Sequence, residues 1–191
     1  MGEGYSSKTL DHLGLLSRVC REFDIAGQID KLIPPQSQEQ HVTTGQAVVA
    51  MLLNGLGFVN QRLYLVSKFF EDKPLDRLLT PGIAASHLND DRLGRALDAL
   101  YAHGVSTLFA SIASQTMQQL GKQPKDAHLD STTFLVHGSY NSDKGAETVL
   151  HLTHGHSKDH RPDLPQVALQ LIRDHYSGIP LHMEALNELQ Q

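Results

Sequence analysis

Apolar positions along the chain follow two different periods, and the change between them falls near residue 121. Before it the spacing is helical. Val48, Met51, Leu52, Gly55 and Val59 recur at i, i+3, i+4, i+7 and i+11, which places them on one helix face, with Thr43 or Thr44 available as its cap. Leu63, Val66 and Phe70 continue that face until Lys73-Pro74 interrupts it. Asn89 or Asp90 caps a further helix with Leu93, Leu97, Leu100 and Tyr101 inward, and His103-Gly104 makes a turn. Val105, Leu108, Phe109 and Ile112 form the face of a last helix running towards Leu120. Nearer the start, residues 17–23 and 25–33 predict two shorter helices ended by Pro34-Pro35, and residues 36–41 a polar linker.

Beyond Gly121-Lys122-Gln123-Pro124-Lys125, the expected domain boundary, the period becomes two. Ile179, Leu181, Met183 and Ala185 alternate with Pro180, His182 and Glu184, the pattern of a half-buried strand. Residues 167–172 are nearly all apolar and suit a strand buried on both faces, joined to the next by a hairpin loop over residues 174–178. A third strand-like run, rich in Thr, Phe and Val, carries Asp130 near its start. The expected fold class is therefore α+β: an all-helical domain over residues 1–120, then three strands over residues 126–191. A sheet of three strands with no helix after it is unfinished, because its edge and one face stay bare.

Composition narrows the function classes. Hydrophobic residues make up 40% of the 191, enough for a sizeable core. No apolar run approaches the roughly 20 residues of a membrane span, and residues 1–8 lack the features of a signal peptide. The single cysteine, Cys20, excludes an internal disulfide and a cysteine-based metal cluster, so a reducing cytoplasm is the expected location. Net charge is −5; Lys and Arg number 10 against 12 Asp and Glu over residues 1–120, and 6 against 9 over residues 121–191. Neither part carries the basic footprint of a strong, nonspecific nucleic-acid binder, although a local patch is compatible with these numbers.

Three segments carry a resemblance: His-Leu-Asp-Ser-Thr-Thr (128–133), Gly-His-Ser-Lys-Asp-His-Arg-Pro-Asp-Leu (155–164) and Gly-Ile-Pro-Leu (178–181). Together they resemble the bacterial insertion-sequence transposases of the DDE type, in the branch that has an N-terminal helical domain of unknown function. The helical opening from Leu10-Asp11-His12-Leu13-Gly14 onward is similar to that domain, so the resemblance spans nearly the whole chain. It implies a ribonuclease-H-like catalytic domain, here its first three strands, with Asp130 as the first catalytic acid and a metal ligand. The family's second Asp and its Glu find no counterpart, because the sequence departs from the family pattern at Glu188. The resemblance thus implies a C-terminally truncated transposase, with Mg²⁺ or Mn²⁺ the cofactor of the intact enzyme and not stably held by this chain. Strand transfer uses two divalent ions about 4 Å apart, and one Asp cannot organise both.

Other residues leave two readings open. Lys158, His160 and Arg161 either contact the DNA backbone or scissile phosphate, or Arg161 pairs with Asp159 or Asp163 and orders its loop. His151, His154 and His156 invite a zinc site, but on a strand His151 points away from the other two and no Cys or acid completes the set. Cys20 reads as a core residue of an amphipathic helix, Glu71-Asp72 as a solvated helix end, and Arg92 and Arg95 as a DNA-facing pair or a surface salt bridge. Two functions follow: a transposase lineage acting on DNA ends, or a non-catalytic module that binds those ends or dimerises, with itself or with a full-length transposase. The helical pairs at 44–72 and 90–120 lack the basic reading face expected of a helix-turn-helix.

Overall fold

Two helices of the N-terminal part start at a side-chain hydrogen-bond acceptor, Thr43 and Asn89. The computed structural model describes residues 7–35, 40–58, 61–137, 161 and 163–186. The chain divides into two compact units, residues 1–108 and 109–191, and the division falls within a helix rather than at the expected linker over residues 121–125.

In the first unit, α1 (Leu13–Glu22) and α2 (Ile25–Leu32) meet at Asp24, a left-handed residue with φ 48°. The buried Gln28 amide closes this corner by donating to the Phe23 carbonyl at 2.6 Å. Buried Ser17 donates to the Leu78 carbonyl at 2.6 Å, fastening α1 to α5 (Leu75–Leu78). Thr43 caps α3 (Thr44–Gly55) in a reciprocal box: its hydroxyl accepts from the Gln46 amide, and Gln46 Oε1 accepts from the Thr43 amide. Asp30 adds a third acceptor for the Gly45 N–H at 2.7 Å.

The inward face of α3 differs from expectation. Ala47, Ala50, Leu53 and Asn54 are buried, whereas Leu52 and Gly55 are exposed and Val48 and Met51 only half-buried. Backbone approach is the reason: Gly45 lies against Ala26, so the small residues of α3 form its inner surface. Nor does one helix run on to Phe70. Buried Asn54 donates to the Gln61 carbonyl (2.7 Å) and accepts from the Gln61 amide (3.1 Å), folding the chain back. A 3₁₀ turn at Leu63–Leu65 and the short α4 (Val66–Phe70) follow, and Val59 lies outside the described residues. Phe70, Leu53, Leu88 and Leu93 are fully enclosed in this unit's core.

Asn89 caps α6 (Asp90–His103), its side chain accepting from the Arg92 amide at 2.8 Å, with Asp90 and Asp91 favourably placed in the first turn. The expected inward pair Leu97 and Tyr101 is instead exposed. Leu93 is buried as expected, and Arg92 and Ala96 are buried beside it, because α6 packs on the small-residue face of α3. Helix α6 ends at His103, and Gly104 (φ 96°) makes the expected turn into α7 (Val105–Gln119).

The second unit holds β1 (Ala127–Leu135), β2 (Gln166–Asp174) and β3 (Pro180–Leu186), an antiparallel sheet in the order β1-β2-β3. The α+β class with helices first is thus the observed one. The β2–β3 hairpin turns at Gly178, whose φ of 70° favours glycine, and a register shift at Ile172/Arg173 brings Arg173 opposite Pro180. Strand β2 is central, but it is not buried on both faces as expected. Ala168 is buried, whereas Val167, Leu169, Leu171 and Ile172 are half-buried, since the described residues do not supply covering layers for both faces. No helix among the described residues is long and apolar enough to cross a membrane.

Candidate functional site on the sheet

Register decides what surrounds Asp130. Opposed residues of antiparallel strands share a face, and alternate residues of one strand do too. Asp130 pairs with Leu171, which pairs with Met183, while His128 pairs with Arg173. The bond from the His175 amide to the Asp126 carbonyl (2.9 Å) extends the ladder by one residue. One sheet face therefore carries His128 and Asp130 on β1, with Asp126 just before the strand, and His175, Arg173 and Leu171 opposite them.

Asp130 is exposed, and its Oδ1 accepts from the Ser131 amide at 2.8 Å. Its second oxygen has no hydrogen bond among the described residues. Such a carboxylate fits one ligand position of a hard divalent cation. Among the described residues, no group of three or more His, Cys, Asp or Glu stands close enough to hold a metal ion. Among the described residues, Asp130 thus offers one carboxylate ligand position for a divalent ion.

Two residues from Asp130, His128 Nε2 and His175 Nδ1 face each other at 2.5 Å, their rings tilted at 50°. A hydrogen bond between them needs one nitrogen to donate and the other to accept. Tyr176 packs edge-on against His175 and donates to Asp126 Oδ2 at 3.2 Å. Sequence reading missed this cluster: Asp126 and His175 lie far apart in the chain and become neighbours only once the hairpin register is known.

At the start of the hairpin, buried Asp174 accepts from the Ser177 hydroxyl (2.6 Å) and amide (2.7 Å). These two bonds hold its carboxyl below the ordinary range, the hydroxyl contributing most. It serves the turn.

Of the basic cluster, Arg161 is described, and it makes a two-pronged ion pair with Asp163, Nε to Oδ1 at 2.8 Å and a terminal nitrogen to Oδ2 at 2.7 Å. Lys158 and His160 lie outside the described residues, as do His151, His154, His156 and Asp159. Cys20 is half-buried against the core of the first unit, and burial raises its thiol pKa, the condition of an unreactive cysteine. Glu71 and Asp72 are exposed at the end of α4.

A family model described as a domain of unknown function (DUF4277) matches residues 5–114, the stretch holding α1 to α6 and the first part of α7. Comparison with curated proteins and with solved structures finds no match.

Proposed function

The chain belongs to the DUF4277 family, and from that premise we propose that it is part of a DDE-type insertion-sequence transposase, acting here by binding DNA ends. The observation that carries the reading is Asp130: an exposed carboxylate on the first strand of an antiparallel meander, after a helical region, where the resemblance expects the first catalytic acid. The intact enzyme's divalent ions would supply a Lewis acid and an activated nucleophile. The resemblance matches Asp130 to that role, and the activity proposed for these residues is recognition of DNA ends.

The test uses the purified chain, Mg²⁺ or Mn²⁺, and labelled DNA from the ends of the element encoding it. Binding of those ends over a scrambled duplex, without cleavage, is the expected result. Equal affinity for both duplexes removes the reading. Metal-dependent cleavage lost in Asp130→Ala would replace recognition by catalysis.

A second reading, a dimerising module, is favoured by one observation. Leu15 and Val19 on α1, and Leu52 and Leu56 at the end of α3, are exposed apolar pairs at i, i+4 spacing. Light scattering that gives the monomer mass at all concentrations would exclude it.

A further inference from the structure

Arg92 and Arg95 stand at i and i+3 on α6, and both line a cleft of about 510 Å³ formed with Ile33, Pro34, Gln40 and Thr44. Arg92 is 8% exposed. Its Nε donates to the Val42 carbonyl at 2.8 Å and a terminal nitrogen to Thr44 Oγ1 at 3.3 Å. Those bonds use two of the five guanidinium N–H groups and bring no negative charge. Burial, then the like charge of Arg95, both disfavour its charged form, and Asp30 only partly offsets them. Asp30 itself spends an oxygen on the Gly45 N–H. Asp98 also lines the cleft, yet it forms an ion pair with neither arginine among the described residues. Arg95 is exposed and without an ion pair there.

A buried cation with no ion pair among the described residues, beside a second cation, is costly unless an anion completes it. We infer that this cleft is a site for a phosphate-class oxyanion, bound by Arg95 together with the remaining N–H groups of Arg92, with the DNA backbone as its source. That choice of source rests on the proposed DNA-binding reading; the oxyanion site rests on the cleft alone. Net charge of −5 agrees with a local contact rather than a broad basic surface.

Arg92 also fastens α6 to the residues that open α3, so its removal risks the fold, and the exposed Arg95 is the better probe. The full chain would be titrated into a labelled duplex of about 20 base pairs at several salt concentrations, and separately with inorganic pyrophosphate by calorimetry. Arg95→Ala is expected to weaken duplex binding about tenfold and to lower the salt slope by about one, with Arg95→Lys restoring part of both. Pyrophosphate binding that depends on Arg95, without duplex binding, keeps the oxyanion site and removes the DNA reading. Duplex binding unchanged by Arg95→Ala keeps the DNA reading and overturns this inference. Failure of both probes to bind overturns both.

Discussion

Gly45 sits so close to Ala26 that a Cβ added to it would lie 2.7 Å from the Ala26 Cα and nearer still to its carbonyl oxygen. The approach joins α2 to α3 and lets Asp30 reach the Gly45 N–H. Backbone atoms cannot rotate aside as a side-chain tip can. Gly45→Ala is therefore expected to destabilise the helical unit by about 1–3 kcal/mol, the range of overpacking, despite alanine's better helix propensity. Urea denaturation followed by circular dichroism measures it. A variant as stable as the native chain would show that α2 and α3 can separate at no cost.

Thr43 and Gln46 satisfy each other's backbone amides at the start of α3. Thr43→Ala removes one of those acceptors and should cost about 1 kcal/mol, whereas Thr43→Ser should retain most of the stability. Equal melting temperatures for the Ala and Ser variants would show that Asp30 alone suffices as the cap.

Capping and turn signals were legible in the sequence because they are local: Thr43, Asn89, His103-Gly104 and the residue 174–178 hairpin behave as read. Helix faces were less so. Hydrophobicity directed Leu52, Leu97 and Tyr101 inward, but close backbone packing selects Ala47, Ala50 and Ala96. A size-blind periodicity cannot anticipate that. Arg92 was legible as a charge and not as a buried one, since burial depends on the Val42 carbonyl fifty residues away in the chain. On the sheet Asp130 stood out by its setting in the sequence, while its neighbours Asp126, His128 and His175 depended on strand register.

Arg161 holds the Asp163 carboxyl at a pKa of about 2, chiefly through their hydrogen bonds. An unperturbed Asp titrates near 3.9. Because the folded value is the lower one, the pair's contribution is full above the unfolded value and disappears as pH falls through about 2. Carboxyl ¹³C titration should place the Asp163 midpoint near the lower value in the native chain. Arg161→Gln should return it towards the ordinary one. An unchanged midpoint in that variant would mean that Arg161 is not the cause, and would leave its charge available for a phosphate.

Asp174 has its carboxyl pKa depressed by the Ser177 hydroxyl first and the Ser177 amide second. Stabilisation by this turn is thus present above the unfolded carboxylate range and lost as acid protonates the folded group. Ser177→Ala keeps the amide bond and deletes the stronger one. Its Asp174 midpoint should rise, and its loss of stability on acidification should begin at a higher pH than in the native chain. Coincident acid unfolding curves for the two proteins would show that the amide alone holds the carboxylate.

Asp130 differs from Asp174 in having almost nothing to do for the fold: it is exposed and bonds the adjacent Ser131 amide alone among the described residues. Asp130→Asn should therefore leave stability within about 0.5 kcal/mol of the native value, as surface substitutions do. The same variant removes the hard anionic oxygen a divalent cation would use. With Mn²⁺ added, amide signals of residues 129–131 should broaden in the native chain and stay sharp in Asp130→Asn. Equal broadening in both would exclude Asp130 as a cation ligand. A large loss of stability would make it a structural residue after all, and either outcome would take away the residue on which the transposase reading of the sheet depends.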